Sequence, residues 1–323
     1  MSNPRVAVVG VGPVGSILSA YYARSGVPVV AIDIFKEHLD HIREKGISIE
    51  GAAELEVKVE NTYYSVEDAA EAGEKFDGVF VCVKATAIKF VAPGLPALLN
   101  DDGVAISWQN GLDTEAGLLE VLGPERMLRG AVNYAGNLMG IGTVRMTFFN
   151  PPNYLGAAVK GNPAAEDMAK RVAASLSEAN LQTEFTDDIH HHVWEKAIRN
   201  AALMPVSAIT GMDMAQVMES PSSLFLVEKL LTESMAVSAE VGYEFDQKFY
   251  DDTLEYYRKA GHHMPSMRGD VEDGRRTETE FLNHRIAEYG ERHGVDSPYN
   301  RALANCLLCI DELTGQRQRK SDK

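Results

Sequence analysis

The chain has 323 residues, 45% of them hydrophobic, a formal charge of −16 and three cysteines. That length suffices for two packed domains; the charge argues against nonspecific nucleic-acid binding and against anionic membrane surfaces, and three cysteines make no disulfide framework. No run approaches a membrane span and the N-terminus enters a strand without a leader pattern, so the expected setting is the cytoplasm.

The first apolar run, Arg5 to Val9, leads directly into Gly10-Val11-Gly12-Pro13-Val14-Gly15, and Ile17, Leu18, Ala20 and Tyr21 give the apolar face of a following helix. Strand, glycine turn and helix in that order form the dinucleotide-binding fingerprint of a Rossmann fold. Gly10 permits the tight turn, Gly12 lets the backbone approach a pyrophosphate, and Gly15 allows close helix packing. Pro13 fits the first helical turn, where no backbone N–H is needed, and the N-terminus that begins there with Val14 takes the phosphate charge. The second run, Val29 to Ile32, stops at Asp33. A carboxylate there accepts hydrogen bonds from both ribose hydroxyls of NAD and repels the 2′-phosphate of NADP, so NAD is the expected cofactor and NADP the alternative.

Further strand-like runs follow at Val79 to Val83, Val104 to Trp108 and Met127 to Ala131, with helical patterns between most of them, which is the rhythm of a doubly wound parallel sheet. Gly130 to Phe149 turns glycine-punctuated and β-leaning, including Val144 to Phe149, and Tyr154 to Val159 continues it. At Asp187-Asp188-Ile189-His190-His191-His192 the consecutive histidines diverge around a helix, so a solvated helix start capped by Asp187 or Asp188 is expected and no metal site. Beyond it the pattern is helical almost throughout, with Ile189, Val193, Ala197 and Ala201 at fourfold spacing and similar habits in Leu224 to Val241 and Phe281 to Tyr289. The expected fold is α/β: a Rossmann dinucleotide-binding domain over 1–187, then an all-α substrate and catalytic domain over 188–323, joined without a flexible linker and sharing a cleft. Cys306 and Cys309 form a CxxC inside an apolar helical stretch with no second ligand pair, so core packing is expected for them as for Cys82. Only the tail from Gln316 to Lys323 is expected to be disordered.

Chemistry has to come from the second half. In Trp194-Glu195-Lys196-Ala197-Ile198-Arg199-Asn200 the spacing puts Lys196 and Asn200 on one helix face, ahead of the apolar Ala201-Ala202-Leu203-Met204-Pro205. The other notable segment is Pro265-Ser266-Met267-Arg268-Gly269-Asp270 with Gly274 to Leu282, in which Thr277 and Glu280 read as a capping box.

At these residues the chain resembles the ketopantoate reductase family, the 2-dehydropantoate 2-reductases, of the 6-phosphogluconate-dehydrogenase-like group. The resemblance spans nearly the whole length: the glycine turn, Val83-Lys84-Ala85, Gln109-Asn110-Gly111, the Trp194-x-Lys196-x3-Asn200 helix, and Ser266-Met267 with Arg276-Thr277-Glu278 after it. It implies an oxidoreductase that moves hydride between a nicotinamide cofactor and a 2-oxo acid or its 2-hydroxy counterpart, pantothenate biosynthesis being the family's namesake setting. By the same resemblance Lys196 is the catalytic lysine that protonates the 2-oxo oxygen, and Glu278 the acid near the substrate hydroxyls. Ser266 binds the substrate carboxylate, Asn200 is a substrate-binding amide, and Asn110 and Lys84 sit between cofactor and substrate.

Two departures from the family pattern qualify the substrate. Members acting on ketopantoate carry an asparagine at the position of Met204, and a further loop asparagine is replaced around Met212-Asp213-Met214. Thioethers in place of amides remove partners for a substrate hydroxyl and leave an adaptable apolar wall. Asp33 stands where NADPH-dependent members favour a basic or neutral residue. The expected function is therefore an NAD-preferring reductase or dehydrogenase with 2-dehydropantoate as the leading named substrate. A dehydrogenase for a bulkier, more apolar D-2-hydroxy acid is the alternative, a non-catalytic NAD sensor a second one, and a homodimer is an assembly left open.

Overall fold

Short β-branched runs buried on both faces build the main sheet. The computed structural model describes residues 4–321. Its strands are β1 (Val6–Val9), β2 (Val29–Ile32), β3 (Ile47–Gly51), β4 (Leu55–Val57), β5 (Asn61–Tyr63), β6 (Phe76–Val81), β7 (Leu99–Ser107), β8 (Met127–Ala131), β9 (Tyr134–Gly140), β10 (Thr143–Phe149), β11 (Asn153–Ala157) and β12 (Thr183–Phe185). The helices are α1 (Pro13–Arg24), α2 (Lys36–Lys45), α3 (Val66–Glu71), α4 (Ile88–Val91), α5 (Leu95–Leu98), α6 (Ala116–Leu122), α7 (Pro163–Glu178), α8 (Ile189–Thr210), α9 (Met214–Glu219), α10 (Pro221–Val241), α11 (Gln247–Lys259), α12 (Ser266–Glu272), α13 (Asn283–His293) and α14 (Pro298–Ser321). The chain divides into two compact units, 1–192 and 193–323.

In the first unit an eight-stranded sheet runs β12-β11-β8-β7-β6-β1-β2-β5. β1 lies in parallel between β2 and β6, with Val6 opposite Val29 on one side and Gly78 on the other. The sheet is not wholly parallel as the rhythm of the sequence suggests: β11 returns antiparallel against β8. A second, four-stranded sheet in the order β4-β3-β10-β9 is completed by residues far apart in the chain, since β3 pairs with β10 in parallel. The core is largely aliphatic; within it Phe80 meets Trp108 edge-on at 5.7 Å, and a Cβ on Gly130 would fall 2.2 Å from the Trp108 ring, so only glycine fits beside it.

The second unit is helical in all its described elements. Trp194, buried on α8, packs against Tyr289 of α13 at 5.3 Å and Tyr243 at 6.1 Å. Two local expectations fail here. Cys306 and Cys309 are exposed on α14, because Ala304 and Leu307 set the phase of its buried stripe. The backbone of α14 also continues to Ser321 through most of the tail expected to be disordered; the last two residues, Asp322 and Lys323, lie outside the described ones. Among the described residues no helix is long and apolar enough to cross a membrane.

Candidate active site

Four adjacent parallel strands deliver the first group of candidate residues at their carboxyl ends. Gly10 follows β1, Asp33 follows β2, Lys84 comes just after β6 and Asn110 just after β7. This edge is where open α/β sheets bind their ligands.

Each glycine of the turn has its own constraint. Gly10 has φ +93°, and a Cβ on it would lie 2.5 Å from the Val83 nitrogen; one on Gly15 would lie 2.0 Å from the Gly10 carbonyl oxygen. Gly12 differs, because nothing stands within 4 Å of the place its Cβ would occupy. It is the N-cap of α1, offers no side chain to the first-turn amides, and is followed by Pro13 at the start of the helix. A helix N-terminus uncapped by side chain and bordered by open space suits the diphosphate of a dinucleotide.

The turn is held from three directions. Asp33, half-buried, accepts the Val11 N–H at 2.7 Å and the Phe35 N–H at 2.9 Å, one on each carboxylate oxygen. Each oxygen keeps a lone pair that could accept a further hydroxyl, so Asp33 pins the glycine turn and retains acceptor capacity. The Val11 carbonyl takes the Ser16 hydroxyl at 2.8 Å and the His38 Nε2 at 3.0 Å. Tyr134 donates its hydroxyl to the Val14 carbonyl at 3.2 Å and receives the Trp108 indole N–H at 3.0 Å.

His38 is buried, and the Gly142 N–H donates to its Nδ1 at 3.1 Å, so Nε2 carries the proton given to Val11. Desolvation, opposed by the Val11 hydrogen bond and Asp33 and aided by His41, pushes its pKa below the usual histidine value. The folded state therefore favours neutral His38. The associated stability is complete above about pH 6.5 and declines as pH falls through the interval where only the unfolded chain takes up the proton. Thermal unfolding from pH 8 to 5.5 should show a shallower acid slope for His38→Gln than for the unaltered chain; equal slopes would remove His38 from the argument.

Lys84 is exposed and stands at the N-cap position of the short turn Ala85–Ala87 without a side-chain cap. Asn110 is half-buried in a loop fixed from behind by Arg129 on β8, which is 1% exposed. The Arg129 guanidinium donates to the carbonyls of Ser107 at 3.1 Å, Gln109 at 3.0 Å, Gly111 at 2.8 Å and Gly130 at 2.6 Å. Its Nε lies 3.1 Å from the Glu115 carboxylate without being aimed well enough for a hydrogen bond. Burial lowers the Arg129 pKa, and Glu115 opposes that as the leading counter-charge. The same carboxylate lies 3.8 Å from His190, whose other ring nitrogen meets the Ala158 carbonyl at 2.9 Å. His192 stacks on Tyr154 at 3.6 Å. These two histidines are thus engaged as structural side chains.

In the second unit Lys196 and Asn200 lie one turn apart on α8, both half-buried. Arg199 between them pairs with Glu195 at 3.0 Å, and its carbonyl accepts the Tyr257 hydroxyl at 2.5 Å. Glu278 stands in the turn before α13, half-buried. Thr277 does not form the expected capping box: its N–H and hydroxyl both donate to Asp311 at 2.9 Å, while Glu280 pairs with Arg276 at 2.8 Å. Five residues beyond Glu278, Asn283 donates to the Ala201 carbonyl at 2.8 Å, which ties the Glu278 segment to α8 beside Asn200. Ser266 opens the separate helix α12, exposed, and belongs with the others by resemblance alone. Met204 is half-buried on α8. Asp213 is committed to a capping box with Gln216 and to His262 at 2.9 Å.

The family models for the ketopantoate reductase PanE/ApbA and its C-terminal part match residues 6–160 and 188–310. The chain belongs to the ketopantoate reductase family. It is 32% identical over 311 residues to a 2-dehydropantoate 2-reductase of Archaeoglobus fulgidus, covering 96% of this chain and 99% of that one. A D-mandelate dehydrogenase solved with NADH and anilino(oxo)acetate is 25% identical with a TM-score of 0.86, over 96% of this chain and 99% of that one. A 2-dehydropantoate 2-reductase from Geobacter metallireducens, 24% identical with a TM-score of 0.85 over 96% and 99%, shares the fold. As a member of this family the chain is an oxidoreductase acting on a CH–OH group with a nicotinamide cofactor. Arg129, His38 and Asn283 were not singled out from sequence; for Arg129 a signal existed, a lone charge inside the apolar strand Met127-Leu128-Arg129-Gly130-Ala131.

Proposed function

We propose that this ketopantoate reductase family member interconverts a 2-oxo acid and its 2-hydroxy acid with NAD preferred, 2-dehydropantoate being the leading named substrate. The observation that carries the reading is the polar face of α8, where the half-buried Lys196 and Asn200 lie one turn apart beside the buried Ala197, Ala201 and Ala202. A bound reduced nicotinamide supplies the hydride for the carbonyl carbon. Lys196 stabilises the charge that develops on the carbonyl oxygen and gives that oxygen its proton; solvent then returns a proton to the amine. Glu278 holds the reacting group and the lysine, Asn200 and Ser266 take the polar groups and carboxylate of the substrate, and Asn110 and Lys84 lie toward the cofactor. Gly10, Gly12, Pro13, Val14 and Gly15 form the diphosphate cradle, and Asp33 takes the ribose.

A second reading, a dehydrogenase for a bulkier apolar D-2-hydroxy acid, is favoured by Met204 on α8 and by Asp213, whose carboxylate is already occupied by its cap and His262. The D-mandelate dehydrogenase likeness supports it as well. The experiment is a panel of ketopantoate, 2-oxoisovalerate, 2-oxoisocaproate and phenylglyoxylate, each with NADH and NADPH. Highest kcat/KM with ketopantoate and NADH is the expected result; a phenylglyoxylate maximum selects the second reading, and no oxidation of either cofactor across the panel refutes both. Within the panel, Asp33→Ser should cut the NADH-to-NADPH ratio of kcat/KM by at least about tenfold, since each 1.4 kcal/mol of lost discrimination is one decade. An unchanged ratio would take cofactor choice away from Asp33.

A further inference from the structure

Helix α8 carries Pro205 in its interior, four residues after Ala201. In an α-helix the residue four positions on donates to each carbonyl, and proline has no N–H to give while its ring pushes that carbonyl aside. The Ala201 oxygen is therefore deprived of its helical partner at a fully buried site, with Ala201 and Asn283 both 0% exposed and water excluded. Asn283, from the first turn of α13, fills the gap: its amide donates to the Ala201 carbonyl at 2.8 Å.

The orientation of that amide is itself fixed by a chain of partners. Glu233 on α10 accepts the Tyr299 N–H at 3.0 Å and the Asn300 N–H at 2.9 Å, two first-turn donors of α14. It also accepts the Asn300 side-chain N–H at 3.0 Å, so the Asn300 oxygen must point the other way. That oxygen receives the second N–H of Asn283 at 2.9 Å. With acceptors on both sides, the Asn283 nitrogen faces Ala201 and cannot flip without setting oxygen against oxygen.

We propose that Asn283 is a positioning residue: it gives Ala201 the hydrogen bond Pro205 cannot, and so fixes the stretch of α8 bearing Asn200 and Lys196. The functional part rests on the 2-oxo acid reductase reading; the hydrogen-bond part does not. A displacement of about 1 Å at a reacting group costs up to about a hundredfold in rate, and a buried carbonyl left without a donor lowers stability measurably.

The test is a double-mutant cycle. Asn283→Ala should lower Tm by roughly 5 °C and kcat by about tenfold or more, with the dissociation constant for NADH, read by fluorescence titration, unchanged. Pro205→Ala restores a backbone donor to Ala201, so adding Asn283→Ala in that background should cost less than about twofold in kcat and a smaller fall in Tm, the part that remains being the donor lost by the Asn300 oxygen. Equal losses in the two backgrounds would overturn the proposal, as would a fall in Tm with kcat and KM both preserved. If Asn283→Ala does not fold, Asn283→Leu, which keeps the branching at Cγ and lacks the donor, enters the same cycle with the same criteria. The Tm arm reads the hydrogen bond even in a chain that reduces no 2-oxo acid, so failure of the enzymatic reading and failure of this one are seen separately.

Discussion

Lys196→Ala is expected to lower kcat for 2-oxo acid reduction by about 10²–10⁴, the range spanned by loss of a positioned general acid, while the affinity for NADH stays near its original value. The split follows from where the residue stands. Lys196 is on α8 in the second unit, whereas the glycine turn, Asp33 and the Val11 contacts that suit a dinucleotide belong to the first. Removal of the ammonium leaves the carbonyl oxygen without a proton donor and without a charge to offset the developing alkoxide. Lys196→Arg keeps the charge but does not release a proton under ordinary conditions, so it should recover substrate binding and little of kcat. On the proposed role the two directions of the reaction should also diverge with pH: reduction would use the ammonium and oxidation the amine, so the reductive rate should fall and the oxidative rate rise as pH increases. A Lys196→Ala protein retaining more than about a tenth of the kcat would sink the general-acid assignment, because that loss is smaller than a proton donor contributes.

The parts of the fold legible in the chain are those specified by neighbours in sequence. β1, β2 and β8 occupy the stretches that their apolar runs mark, and the glycine turn shows its three separate demands at Gly10, Gly12 and Gly15. β3, β4 and β5 carry no such run in the sequence. They are short and only partly buried, and β3 depends on β10, almost a hundred residues later, for its parallel partner. No local pattern records such a pairing. The error at Cys306 and Cys309 is one of phase. The stretch around them is apolar enough to suggest a core, yet Ala304 and Leu307 alone turn inward while both cysteines face solvent.

A similar division runs through the candidate site. Residues proposed to touch ligand stand out because chemistry restricts their type: a carboxylate after the second strand, glycines at a diphosphate, a half-buried lysine on a helix. Residues that hold those in place are not, because their partners are backbone carbonyls, which every residue has. Arg129 reaches Ser107, Gln109 and Gly111, and Asn283 reaches Ala201; none of those four acceptors differs in kind from any other peptide group. Pro205 is the exception that makes the rule useful, since a proline inside a helix announces that a carbonyl four residues back needs another donor.

Arg129→Met should be strongly destabilising. It leaves the Glu115 carboxylate buried with His190 at 3.8 Å as its remaining ion-pair partner among the described residues, and it strips side-chain donors from four carbonyls in and around the Asn110 loop. Breaking a buried ion pair by removing one partner costs about 3–5 kcal/mol, which at about 2–4 °C per kcal/mol is a fall in Tm on the order of 10 °C. Arg129→Lys should repair little, because an ammonium is a point donor and cannot fork to carbonyls on both sides of a loop. The decisive comparison is Arg129→Met with Glu115→Leu. Removing both charges should recover a large part of the stability, since the stranded carboxylate is gone. Activity should not return with it, because Gln109 and Gly111 still lack the donor that sets Asn110 between them. If the double variant regained both Tm and kcat, Arg129 would be a counter-ion for Glu115 and nothing more. If Arg129→Met alone kept the original Tm, the buried network would not have the energetic weight that its geometry gives it.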